Sequence, residues 1–207
     1  MGYPDRIAAG RVLGARLEHL REPPPLVLGL PRGGVPVAAA VREVIGGDLD
    51  ILLVRKLGVP WQPELAMGAI GERGARVLNP DVVSHCEISA ERLAEIEADE
   101  RVELERRRVL WRGASAPVPL EGRVVVLVDD GMATGATVAV ACRVARLGGP
   151  ARIVVAVPVS SAEAVRRVAG AAEEVVCPWV PETLGGVGAA YGDFHQLEDE
   201  EVTALLR

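Results

Sequence analysis

Apolar and polar positions along the chain change repeatedly between a helical period and short continuous runs. Leu13, Leu17 and Leu20 recur at three- and four-residue intervals and line one face of a first helix, which the Pro23-Pro24-Pro25 run must stop. Leu26 to Leu30 is a short apolar run with strand character, Val35 to Val44 reads as a helix, and Asp50 to Val54 as another strand. Met67–Ile70 and Arg76–Leu78 predict two short strands, and Asn79-Pro80-Asp81 supplies the cap, first residue and acid of a helical segment. Val124 to Val128 is wholly apolar and mostly β-branched, the pattern of a strand buried on both faces, and Val138 to Leu147 has the spacing of a helix. A strand at Ile153–Val157, a helix capped by Ser160 or Ser161 and a last strand at Glu174–Cys177 complete the series. Strands alternating with helices at these lengths predict an α/β fold, a parallel sheet covered by helices on both faces. Ligands in such sheets gather at the carboxyl ends of the strands.

Ser89 to Trp111 departs from this alternation. It is rich in helix formers and dense in charge, with a thin apolar set of Leu93, Ile96, Leu104, Leu110 and Trp111, so it either projects or packs through one narrow stripe, as a solvated surface helix, a lid or a dimer arm. Gly113 to Pro119 ends it with a small-residue linker. The 207 residues, 49% hydrophobic, suffice for one sizeable core, and we expect one domain over 1–207. Its core would take about 1–60 and 120–178, with an inserted loop and charged helix at about 60–119. A formal charge of −6 argues against a broad nucleic-acid surface, so anions must be bound locally by loops. No apolar run is long enough for a membrane span and the first residues lack a secretory pattern, so the expected location is cytoplasmic with no membrane partner. Cys86, Cys142 and Cys177 are widely spaced and odd in number, as core or half-buried thiols would be, and argue against a zinc site or disulfide framework. The chain has a single lysine, Lys56, against 22 arginines.

The chemistry concentrates where the central strand ends. Asp129 and Asp130 close it, and the small-residue loop Gly131-Met132-Ala133-Thr134-Gly135-Ala136-Thr137 leads into the next helix. Such a loop lets backbone N–H groups close around a phosphate, assisted by the helix start and by the hydroxyls of Thr134 and Thr137. Paired carboxylates beside a phosphate suit the vicinal hydroxyls of a sugar or a bound Mg²⁺. An Asp-Gly turn alone would explain the glycine but not two acids with two hydroxyls. A second anion loop is suggested by Pro31-Arg32-Gly33-Gly34, where glycines permit close backbone approach and Arg32 offers a planar fork of donors; an ordinary glycine turn is the alternative. Lys56, just past the strand ending at Val54, stands as a point charge at the edge of the same region or as a solvated loop lysine.

Strand, two acids and a loop ending in Thr134-Gly135-Ala136-Thr137 resemble the 5-phosphoribosyl-1-pyrophosphate (PRPP) motif of type I phosphoribosyltransferases. The order of Arg-Gly-Gly loop, Lys-Leu-Gly segment, charged helix, PRPP motif and glycine-rich tail resembles a bacterial group of predicted phosphoribosyltransferases of undefined substrate, over nearly the whole chain. The resemblance implies a Rossmann-like type I fold with a projecting charged helix and a small hood at about 179–207. It implies that residues 133–137 bind the PRPP phosphate, that Arg32, Gly33, Gly34 and Lys56 meet pyrophosphate, and that Gly58–Leu65 is a mobile loop closing over the site. It further implies a cis peptide in the pyrophosphate loop, Pro31–Arg32 being the bond to inspect. Asp129, Asp130, Arg32 and Lys56 would be the catalytic set. Mg²⁺ would be held mainly through the ligand, with Asp129 and Asp130 as candidate protein donors. The acceptor would be a nitrogenous small molecule, a nucleobase first of all, and the assembly a homo-oligomer, a dimer. Relatives that act on 6-oxopurines usually carry an aspartate immediately before the Thr-Gly pair; Ala133 stands here, as in adenine-, uracil- and orotate-type loops. Trp179, Leu184 and Tyr191 fall in the tail where the base would lie, either stacking on it or filling a small hood core. A PRPP sensor without turnover, or an enzyme with a non-base acceptor, fits the same motif, although an intact Arg32, Lys56 and loop favour turnover.

Overall fold

The computed structural model describes residues 2–206. Five strands form a parallel sheet in the order β2-β1-β6-β7-β8: β1 Leu26–Gly29, β2 Asp48–Ile51, β6 Val124–Val128, β7 Arg152–Ala156 and β8 Glu174–Val176. The continuous apolar runs divide by alternation. Val27, Val126, Val128 and Val154 face α1 (Arg6–Ala15) and α2 (Gly34–Ile45), burying Leu13, Leu17, Val37 and Val41 on that side. Leu28, Val125, Leu127, Ile153 and Val155 face α5 (Ala136–Arg146) and α6 (Ala162–Val168). The side-chain period of two, with both faces covered, is why these strands read as unbroken apolar stretches.

A second, antiparallel sheet takes β3 (Val54–Val59), β4 (Gln62–Gly71) and β5 (Arg76–Leu78). Here the structure corrects two expected strands and shows the expected loop at Gly58–Leu65 as a hairpin. The single strand expected at Asp50–Val54 is two: Leu52 N–H donates to Gly29 O at 3.1 Å as the chain leaves the parallel edge, and β3 then starts at Val54. An apolar run cannot show this exit, because Leu53 and Leu57 remain buried in a different core. The segment Gly58–Leu65 is a paired hairpin end, turning at Pro60-Trp61 between β3 and β4, with a register shift at Gly58. A Cβ on Gly58 would lie 2.7 Å from Pro63 O, so the bulge requires glycine there. The short strand expected at Met67–Ile70 is the inner end of this ten-residue β4. The first helix also ends earlier than its leucines suggest, at Ala15, with Leu20 reached through a 3₁₀ turn at Glu18–Leu20.

After α3 (Pro80–His85), α4 runs over Ala90–Arg112, capped by Ser89, whose Oγ accepts from Arg92 N–H at 3.1 Å. It packs against β3, β4 and the terminal helix α7 (Asp199–Leu205) instead of projecting, through the narrow stripe of Leu93, Leu104 and Trp111. Arg112 pins its end: Nη1 reaches Asp50 Oδ1 at 2.6 Å and Nε reaches Glu72 Oε1 at 2.9 Å, all three groups being buried or nearly so. Chain ends meet in a small hood, where Tyr3 N–H donates to Ala190 O and Gly192 N–H donates back to Tyr3 O, both at 2.8 Å. Cys142 is buried and Cys86 and Cys177 half-buried, with burial pushing the Cys142 thiol up to about 12. No helix among the described residues is long and apolar enough to cross a membrane.

Candidate active site

Strands β1 and β6 are neighbours, so the loops that follow them lie side by side at the carboxyl end of the sheet. Leu30 N–H donates to Val128 O at 2.8 Å and joins the two strand ends where the loops begin. After β1, Pro31–Arg32 is a cis peptide and Gly34 N–H returns to Leu30 O at 2.9 Å. Both glycines are needed because the neighbouring loop crowds them: a Cβ on Gly33 would run into the Asp130 carboxylate, and one on Gly34 into the Val128 carbonyl oxygen. After β6, Gly135 takes a left-handed φ of +72° and starts α5, while Ala133, Thr134 and Thr137 remain exposed. Ser161 Oγ donates to Ala133 O at 2.8 Å and Met132 N–H donates to Val159 O at 3.0 Å, fixing the loop to the segment after β7.

The two carboxylates differ in their surroundings. Asp130 accepts from Arg6 Nε at 2.9 Å, and Tyr191 donates its hydroxyl to the Asp130 carbonyl. Asp129 Oδ1 accepts only from the Asp130 N–H, at 2.9 Å, and meets no cation among the described residues. Burial, and then the neighbouring charge of Asp130, push the Asp129 carboxyl well above the usual range. Burial raises Asp130 as well, and Arg6 opposes that rise. Tyr191 is raised far above an ordinary phenol, first by burial and then by Asp130.

The structure brings Asp129, Asp130, Gly33, Gly34 and residues 133–137 together. Arg32 is turned toward the C-terminal segment, with Nε 3.1 Å from Asp199 Oδ1 and Nη1 donating to Leu197 O at 3.1 Å. Lys56 lies within β3, where a loop position was expected, and its Nζ is 3.3 Å from Glu64 Oε1. It lines a cavity of about 580 Å³ that also touches Pro31 and Thr137, between the hairpin and α4. Trp179, Leu184 and Tyr191 pack in the hood with Tyr3, Val187 and Phe194; Tyr191 stacks on Phe194 at 5.0 Å and Trp179 stands edge-on to Tyr3 at 6.1 Å. Sequence reasoning missed Arg6, Ser161 as a loop clamp, and Asp199 as the partner of Arg32. Arg6 stands 124 positions before Asp130, and nothing in its local sequence marks it.

The parallel sheet thus carries an acid pair and a small-residue loop beside a glycine loop at the ends of two adjacent strands. The phosphoribosyl transferase domain model matches residues 6–181, and the chain belongs to that family. It is 50% identical over 204 residues to the Mycobacterium tuberculosis H37Rv protein named "Putative phosphoribosyl transferase Rv0571c", covering 99% of this chain and 46% of that protein. The chain thus spans about half the length of the curated relatives it matches first. It is 35% identical over 129 residues to the bifunctional protein PyrR of Chloroflexus aurantiacus, covering 61% of this chain and 65% of that one. The crystal structure of TT1426 from Thermus thermophilus superposes with a TM-score of 0.92 at 46% identity, covering 100% of this chain and 98% of that one. A hypoxanthine phosphoribosyltransferase from Staphylococcus aureus shares the fold at a TM-score of 0.50 and 15% identity, over 86% of this chain and 74% of that one.

Proposed function

We propose that this chain binds PRPP with Mg²⁺ and transfers its 5-phosphoribosyl group to a nitrogenous acceptor, a nucleobase, releasing pyrophosphate. The observation that carries the reading is the convergence of two anion-competent loops, Pro31–Gly34 and Gly131–Thr137, on one carboxylate pair at adjacent strand ends. Backbone N–H groups of residues 133–137 and the hydroxyls of Thr134 and Thr137 would take the 5-phosphate. Asp129 and Asp130 would hold the ribose hydroxyls and offset the positive charge that develops on the sugar as the C1–oxygen bond to pyrophosphate breaks and the C1–nitrogen bond forms. Arg32 and Lys56 would meet the leaving pyrophosphate by exchanging their present carboxylate partners, Asp199 and Glu64, for it. Closure of the hairpin tip, where Trp61 is 67% exposed, would keep water from the cationic sugar.

The donor set suits Mg²⁺ shared with the substrate. No group of three or more His, Cys, Asp or Glu side chains that could hold a metal exists among the described residues, and Asp129 offers a carboxylate oxygen without a competing cation. Asp129 and Asp130 would help the substrate hold Mg²⁺, which would supply charge neutralisation for the leaving pyrophosphate. Ala133 provides no carboxylate for a purine's far edge, so 6-oxopurines should be poor acceptors beside adenine, uracil or orotate. Pyrophosphate release with PRPP, Mg²⁺ and a panel of bases tests the whole reading: turnover with one of the last three supports it. Hypoxanthine or guanine outrunning them overturns the role given to position 133. No PRPP binding by calorimetry at millimolar ligand overturns the function.

A further inference from the structure

We propose that Arg6, at the start of the first helix, is a positioning residue for Asp130, locking that carboxylate against the pyrophosphate loop so that both site loops act as one unit. The inference rests on the functional reading of Asp130 given above. The geometry is that of a clamp. Arg6 is 8% exposed; its Nε donates to Asp130 Oδ2 at 2.9 Å and its Nη1 to the His195 carbonyl at 3.0 Å, while the guanidinium lies 3.9 Å over the Phe194 ring. Two fixed donors and a stacked face leave the planar group almost no freedom, which a lysine could not reproduce.

Asp130 is held from two other directions too. Its carboxylate sits so close to Gly33 that no side chain fits there, and its carbonyl takes the Tyr191 hydroxyl. Arg6 therefore joins three parts of the chain at one carboxylate: the N-terminal helix, the PRPP motif and the hood residues Phe194 and His195. It also supplies the one cation bonded to either aspartate among the described residues, which allows two adjacent acids to face an anionic substrate. Arg6 lines the same small cavity as Gly33 and Asp130 and acts there through its bond to Asp130, so its effect should vanish when that carboxylate is gone.

A double-mutant cycle tests this on the full chain, with Arg6→Gln, Asp130→Asn and the pair, read by calorimetric affinity for PRPP with Mg²⁺ and by melting temperature without ligand. The expected result is that Arg6→Gln weakens PRPP binding by about tenfold or more, yet changes it less than about twofold in the Asp130→Asn background, the excess being the coupling between the two. Arg6→Lys should recover part of the loss by keeping the charge. Without ligand, Arg6→Gln should melt below the double variant, since only the single one leaves the Asp130 carboxylate without its cation. Equal losses in both backgrounds, equal melting of single and double variants, or an Arg6→Lys protein that fails to fold would each overturn the proposal in favour of a packing role. A wild-type protein that does not bind PRPP would defeat the functional reading instead, and the ligand-free melting comparison would still decide the role of Arg6.

Discussion

Two regions of this molecule are rich in carboxylates, and their electrostatics are opposite. Along α4 the acids lie at the surface, partly or largely exposed, beside arginines: Glu103 takes Arg106 at 2.8 Å and Arg107 at 2.6 Å, and these hydrogen bonds hold its carboxyl down at about 2. At the end of β6 two adjacent acids are half-buried with a single guanidinium, bonded to Asp130, and loss of solvation drives both upward. A paired, solvated carboxylate is at ease and does little for the fold. A buried one without its own cation costs stability and persists where a ligand will later complete it. The Arg112 cluster differs from both, with Arg112 and Asp50 buried and Glu72 half-buried, yet with every charge paired.

Removing the cation from this cluster should have the largest effect. Arg112→Gln leaves Asp50 and Glu72 without a cation, the condition Asp129 is already in, with Asp50 keeping only the Ile51 and Val118 N–H groups, and should cost about 3–5 kcal/mol in urea unfolding. Glu72 is already raised by burial against the pull of Arg112, so the deficit should shrink on acidification as the stranded Glu72 carboxyl takes up a proton. A loss under about 1 kcal/mol would show that water reaches this cluster and would erase its contrast with α4.

Asp129→Asn should separate function from stability. It keeps the oxygen that accepts from Asp130 N–H but removes the charge, so turnover should fall by about 10²-fold. The folded carboxyl is raised above its ordinary value of 3.8, so the native state bears the cost of ionisation above that raised value and none below about pH 3.8. The ligand-free variant should accordingly melt higher than wild type at neutral pH, with the gain fading as pH falls toward 4. A lower melting temperature at pH 7 would show that the ionised form is welcome in the fold.

The smallest effect should come from Glu103→Gln. Its folded carboxyl is depressed to about 2 from an ordinary 4.5, so any stabilisation is present above pH 4.5 and lost between 4.5 and 2. Solvent screening at this exposed position limits it to about 0.5 kcal/mol, measurable in urea at pH 7 and absent at high salt. An effect several times larger would mean that α4 is held by its charges and not by Leu93, Leu104 and Trp111.

The parallel sheet and the small-residue loop after its central strand were legible in the sequence because both are local. Val124 to Val128 announces a doubly buried strand by composition alone, and the acid pair, glycine and threonines that follow have to be contiguous to form one loop. Arg32-Gly33-Gly34 was equally readable, since only small residues fit where Asp130 and Val128 press in. What tertiary structure decided is everything carried by distant pairings. Leu52 and Leu53 look like strand interior yet mark the exit to a second sheet, because burial in either core writes the same apolar letters. Arg32 is aimed by Asp199 and Leu197 O, and Lys56 by a glutamate across a hairpin that read as a loop. Arg6 lies on a helix whose apolar period predicts its buried face and says nothing of the carboxylate 124 residues on. Short-range order is written in neighbouring residues, whereas the partner of a charge is chosen by where the sheet and hood bring the chain, and one sequence segment holds no record of that.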